Sequence, residues 1–305
     1  MAIGQAADLV ASPRQAELTE RLVKPRMPTI IEAITRARKA TDAFFSLSSS
    51  ATALAATPEV SGDSNLAVYP LGFCASIRDR VYAELGREPC IQELRSAGVT
   101  FSKVFVILRN SYFQNAIQLG NLYLDTANDT VDASKHFFEW QAIPDLSYRN
   151  LEAWPALADV AERYYSCQVF LNIYFPLLAP LIPLMAIRDN GRLDLLFFQN
   201  LFFLKDLREG LPRLSTWLKS NDAVLHRRLP QAYQDLLVRH FSANDFQKFP
   251  FEFRTDASLP TILAQAREIA AASRHPQQEK LVVKLLEIAP QAVTIFRRLG
   301  INARR

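Results

Sequence analysis

Residues 104–125 read VFVILRNSYFQNAIQLGNLYLD, and the way this stretch divides decides the fold. Val104–Leu108 is short, apolar and rich in β-branched residues, which predicts a buried strand. Asn110–Leu119 mixes aromatic, aliphatic and amide residues without strict alternation. With Asn110 or Ser111 as N-cap and Gly120 as terminator, it predicts a helix. Asn121–Leu124 predicts the next strand. Upstream, LAVYPLGF (66–73) carries Pro70 and Gly72 and reads as a strand and a turn. Cys74–Leu85 sets Ile77, Val81 and Leu85 on one helical face, and Glu88–Ala97 is a second short helix closed by Gly98. Strands alternating with helices over Leu66–Asp125 predict βαβ units, and therefore an α/β fold with a mostly parallel sheet core in the first half of the chain.

The flanks are assigned around that core. Residues 1–47 are amphipathic and predict an N-terminal helical appendage. Residues 48–65 are small and polar, the composition of a flexible linker. The core is expected over 66–149, with Lys135–Ile143 able to add a strand. Residues 150–305 are expected to be helix-rich, with helices near 199–219, 222–241, 259–274 and 277–299. A β-hairpin near 184–198 is expected to turn on Asn190-Gly191.

Composition narrows the function classes. The chain has 305 residues, 49% hydrophobic and 22% charged, so an ordinary core is available. Its net charge of +4 is spread along the sequence rather than gathered in a basic face, which argues against nucleic acid. The pair Arg297-Arg298 and the pair Arg304-Arg305 read as helix-end and tail cations. Three cysteines, Cys74, Cys90 and Cys167, fit no zinc spacing and point to a reducing, cytoplasmic setting. Met1–Lys24 has no apolar signal-peptide core. Cys167–Ile187 is almost wholly apolar, but Pro176, Pro180 and Pro183 would break a spanning helix, so a buried segment is expected ahead of peripheral membrane contact.

The chemistry-bearing residues gather at one strand end. Asp125 closes Asn121–Leu124, and Asn128, Asp129 and Asp132 follow. Carboxylates there are suitable ligands for Mg²⁺ or Mn²⁺, and such a cation can clamp a diphosphate. His136 and Glu139 stand close behind as candidate general bases. Gly72, ahead of the helix at Cys74, and Arg78 are candidate phosphate contacts. Arg109 and Asn110, after Val104–Leu108, would reach the same sheet edge. His226, His240 and His275 stand apart from these. The chain has no Gly-x-Ser-x-Gly, no Gly-x-x-x-x-Gly-Lys and no Gly-x-Gly-x-x-Gly motif.

The strand–Asp125–Asp129 arrangement over Leu66–Asp132 resembles the metal site of metal-dependent nucleotide-sugar glycosyltransferases, although Asp129 lies four residues beyond Asp125 rather than two. Asn128-Asp129-Thr130-Val131-Asp132 also resembles the aspartate-rich motif of terpene synthases, an all-helical family. The resemblance implies a metal-assisted transferase acting on a nucleotide-activated or phosphorylated, sugar-like small molecule. The alternative expectation is a non-catalytic protein-interaction or accessory protein. Asp, Asn and Thr also serve any strand-to-loop junction through local side-chain bonds.

Overall fold

The computed structural model describes residues 7–47, 69–197, 201–241, 250–274 and 279–303. The chain forms two compact units, Met1–Leu151 and Glu152–Arg305. The expected linker at 48–65 and the expected strand start at 66–68 lie outside the described residues.

The first unit opens with helix α1 (Pro13–Leu18). Ser12 caps it by accepting from the Gln15 N–H, with Pro13 in the first turn. The helix continues through a π turn (Thr19–Val23) and a 3₁₀ turn (Lys24–Arg26) into α2 (Met27–Leu47). Pro25 and Pro28 have no N–H to give to the preceding turn, and the hydrogen-bonding pattern changes where they occur. Ile30, Ile34 and Ala37 on α2 are buried in the core of this unit. Helices α3 (Cys74–Leu85) and α4 (Pro89–Ser96) follow where expected, and Ile77, Val81 and Leu85 are completely buried. Each such side chain contributes about 1.5–3 kcal/mol relative to exposure.

The sheet corrects the expected fold. Strands β1 (Phe101–Leu108), β2 (Tyr112–Leu119), β3 (Leu122–Asp125), β4 (Glu139–Ala142) and β5 (Tyr148–Asn150) lie in the order β4-β3-β2-β1-β5. Every neighbouring pair is antiparallel. Among the described residues the mostly parallel α/β core is therefore absent, and most of the region expected as a helix, Asn110–Leu119, is the central strand β2. A tight turn reverses the chain there. Arg109 and Asn110 both have positive φ (50° and 53°), and the Ser111 N–H donates to the Leu108 carbonyl at 2.9 Å. That backbone turns β1 straight back into a hairpin.

The second turn of the meander depends on Gly120. Its φ is +61°, and an added Cβ would sit 2.4 Å from Thr19 Oγ1. The same Thr19 oxygen accepts from the Asn121 N–H at 2.7 Å, so the turn is docked on the helix. Ile117, Leu119, Leu122 and Leu124 face the helices. On the other sheet face Val104, Val106, Leu108, Ala116 and Tyr123 close over Leu9 and Ile143.

The second unit holds α5 (Trp154–Tyr164) and a three-stranded antiparallel sheet, β6 (Cys167–Leu171), β7 (Leu184–Arg188) and β8 (Leu193–Leu196), in that order. Gly191, at φ 81°, closes the expected β7–β8 turn. The proline-rich run between β6 and β7 packs inside this unit. Asn172 ties it, donating to the Ile182 carbonyl at 2.9 Å while its backbone N–H reaches the Pro183 carbonyl at 2.8 Å. Among the described residues no helix is long and apolar enough to cross a membrane.

Helices α6 (Leu201–Arg208), α7 (Pro212–Leu218), α8 (Ala223–His226), α9 (Gln231–Phe241), α10 (Leu259–Arg274) and α11 (Glu279–Arg298) complete the unit. The single helix expected over 222–241 is divided, because Pro230 lacks a donor and disfavours helical backbone at Leu229. The buried Asp206 caps α7 from a distance, accepting from the Arg213 and Leu214 N–H groups at 2.7 and 2.9 Å.

Candidate functional site

Asp125 ends β3, and its register partner across the edge strand is Glu139. The two β-strands differ in exposure: Asp125 is buried and Glu139 is exposed. Both oxygens of Asp125 are engaged. Oδ2 accepts from Gln114 Nε2 at 2.5 Å, and Oδ1 accepts from the Ala127 N–H at 2.9 Å. Burial raises the Asp125 pKa to about 7, and the negative charges of Glu139 and Asp129 add to the effect. The Ala127 and Gln114 donors oppose it. Tyr123, on the same face, has a buried hydroxyl with no partner in hydrogen-bonding geometry among the described residues. Its pKa is pushed up by burial and by Asp125. Tyr112 shares this environment, and its pKa is raised chiefly by burial, with opposing influences from Arg109 and from Asp125 and Glu139.

Asp129 belongs to a different constellation. It sits in a 3₁₀ turn (Asn128–Thr130) and makes a bidentate pair with Arg38 of α2, at 2.9 and 2.7 Å. Arg38 is 3% exposed. It also donates to the Thr126 carbonyl at 3.0 Å and to Asp42 at 2.6 Å. Its guanidinium lies 5.4 Å from the Phe137 ring centroid and 6.0 Å from that of Tyr69. Burial opposes the charge on Arg38, but the hydrogen bonds to Asp129 and Asp42 outweigh it and hold its pKa above the ordinary arginine value. Tyr69 donates to Asp42, and burial together with that bond raises the phenol pKa.

Four of the remaining expected residues, Asp132, Asn128, His136 and Gly72, shape the same loop. Asp132 is exposed and accepts from the Ser134 N–H and hydroxyl at 3.0 and 2.7 Å, which lowers its pKa. Asn128 donates to the His136 carbonyl at 3.1 Å, and His136 Nδ1 lies 2.8 Å from the Phe138 carbonyl. Gly72, at φ 79°, donates its N–H to the Thr130 carbonyl at 3.1 Å, so that donor holds the loop instead of facing an anion. Arg78 is buried on α3, where it donates to the Val104 carbonyl and to Asp79. Arg109 and Asn110 are exposed at the β1–β2 turn. The structure thus joins Asp125, Asp129, Asn128, Asp132, His136 and Glu139 in one strand–loop–strand segment, and it places Arg78 against the backbone of β1.

These carboxylates suit protein donors better than a cation. Asp125 and Asp129 each spend both oxygens on hydrogen bonds, and among the described residues no group of three or more His, Cys, Asp or Glu side chains is placed to hold a metal ion. A nucleoside diphosphate with Mg²⁺ or Mn²⁺ is therefore expected to leave the melting temperature unchanged. A saturable rise that Asp125→Asn abolishes would restore the metal site.

A second constellation lies on the same sheet face. Residues 7–12 cross it as an extended strap. The Ala7 N–H donates to the Lys103 carbonyl at 2.6 Å, making a parallel bridge beside Val104. Asn150 of β5 holds both backbone groups of Leu9: Oδ1 accepts its N–H at 2.9 Å and Nδ2 donates to its carbonyl at 3.0 Å. The Tyr148 hydroxyl donates to the same carbonyl at 3.2 Å. Gln118 of β2 treats Val10 in the same way, with Oε1 and Nε2 at 3.3 and 2.8 Å. The Leu9 side chain is 1% exposed, sunk among Val104, Val106, Ala116 and Tyr123. Asp8 and Val10 point to solvent.

Sequence reading passed over Arg38, Gln118, Asn150 and Leu9. One of them carried a signal. Ile30, Ile34 and Arg38 recur at spacing four, so a cation stands in the apolar stripe of α2 and needs a buried partner. The amides of Gln118 and Asn150 carried none, because the strap residues they grip lie 108 and 141 positions away. No protein-family model, no curated protein and no solved structure matches the chain.

Proposed function

We propose that this chain is a non-catalytic protein-interaction protein whose second sheet face takes an extended polypeptide segment. The observation that carries the reading is the pair of amide clamps. Asn150 and Gln118 each grip the N–H and the carbonyl of one residue, and the Leu9 side chain is buried among Val104, Val106, Ala116 and Tyr123. Backbone hydrogen bonds supply affinity with little dependence on sequence, and a single pocket supplies selectivity, as in peptide recognition at sheet edges. A cytoplasmic setting belongs to this proposal and is supported by three cysteines that form no disulfide.

The transferase reading, with a metal clamping a nucleotide-activated sugar-like substrate, has less support. Its central carboxylates are already bonded to Gln114, Ala127 and Arg38.

The test uses a fluorescein-labelled peptide of residues 5–12 (QAADLVAS) and the full chain carrying Leu9→Asp, which cannot seat its own strap. Saturable binding by fluorescence anisotropy is expected. Adding Asn150→Ala and Gln118→Ala together is expected to remove it. A folded Leu9→Asp chain that shows no saturable binding would sink the proposal.

A further inference from the structure

We infer that residues 7–10 are a displaceable resident of the groove, so that the chain occludes its own binding site until an extended segment of another protein bearing a leucine-sized anchor displaces them. This rests on the peptide-binding reading above and adds its regulation. The attachment of the strap differs from that of everything after it. Among the described residues one backbone bond, Ala7 N–H to the Lys103 carbonyl, ties the strap to the sheet, and the rest of its polar hold comes from side chains of Asn150, Gln118 and Tyr148. By contrast, α1 is anchored independently. The Gln15 side chain donates to the Gly98 carbonyl at 3.0 Å and accepts from the Thr100 N–H at 2.9 Å. Ser12 caps α1 at the Gln15 N–H, at 3.2 Å. The strap can therefore swing out about Ala11–Ser12 while α1, its cap and the helical core stay in place.

Exposure points the same way. Val10 is 55% exposed although apolar, so the strap buries one anchor and leaves its other positions unread. A segment from another chain needs to match only that anchor and an extended backbone. When the binding-competent state is a minor fraction, apparent affinity falls by that fraction. Releasing the strap removes this penalty.

The experiment measures anisotropy of the labelled 5–12 peptide with the full chain, wild type against Leu9→Asp. The variant is expected to bind at least roughly tenfold more tightly, the factor set by the fraction of chains with an empty groove. Hydrogen exchange at the Leu9 and Val10 amides of the wild type is expected to quicken on adding excess peptide. Should Leu9→Asp not fold, Val10→Pro serves instead, since it deletes the N–H held by Gln118 and keeps the extended backbone. Equal affinity of wild type and variant would overturn the resident role while leaving the groove as a binding site. Absence of binding to both would overturn the groove itself. A concentration-dependent wild-type dimer lost in Leu9→Asp would overturn the assignment of the strap to its own groove, since the arms would then be exchanged between copies.

Discussion

Replacing Arg38 by methionine is expected to destabilise the first unit by about 3–5 kcal/mol, the cost of breaking a buried ion pair by removing one partner. The loss falls on Asp129. With Arg38 gone, a buried carboxylate keeps no cation and no bidentate donor, and the Thr126 carbonyl loses its donor as well. A loss of that size is a large part of the 5–15 kcal/mol that holds a typical domain. The Arg38→Met, Asp129→Leu double variant is expected to be more stable than Arg38→Met alone, because both desolvated charges are then removed and the aromatic faces of Phe137 and Tyr69 can pack on an apolar side chain. Native-state hydrogen exchange of the β2 amides reports this unit separately from residues 152–305. A cost below about 1 kcal/mol for Arg38→Met would show that the pair is not holding the loop.

Asp125→Asn is expected to do the opposite. The carboxyl has a pKa of about 7 in the folded chain against an ordinary value of 3.8. Between these values the folded state keeps a proton that the unfolded state has released. Unfolding there releases the proton, so stability falls as pH rises from about 4 to about 7 and then levels off. The full difference corresponds to about 4 kcal/mol. Asparagine keeps the acceptor for the Ala127 N–H, and Gln114 can turn its amide to offer a carbonyl to the new N–H group. The variant is expected to match the wild type near pH 4 and to exceed its stability at pH 8. Measuring the urea midpoint of both proteins across that range decides the matter. A variant less stable than wild type at pH 8 would mean that the charged carboxylate is needed, as a cation ligand would be.

Both expectations come from residues whose positions were readable and whose surroundings were not. The segment from Asp125 to Glu139 stands out in the sequence as acidic and polar after an apolar strand, and the structure does gather it into one strand–loop–strand segment. What could not be read was burial. Asp129 resembles a metal ligand only while Arg38, 91 positions earlier, is out of view. The same holds for the strand that overturned the fold. Gln114, Asn115 and Gln118 interrupt the alternation expected of a strand, and they tolerate burial in β2 because Asp125, the Cys74 sulfur and the carbonyls of Val10 and Gly120 accept from them.

Local chemistry by itself determined the helices over Cys74–Leu85 and Pro89–Ser96, the Asn190-Gly191 hairpin and the proline-broken apolar run, since cap, turn and periodicity all act within a few residues. Tertiary structure alone decided strand direction, the conversion of 112–119 from helix to strand, and the fate of each buried carboxylate. Those outcomes depend on which distant donor meets which acceptor. Leu9 shows the division most plainly: an unremarked leucine in a stretch expected to be helical becomes an anchor only because Asn150 and Gln118 grip the backbone around it.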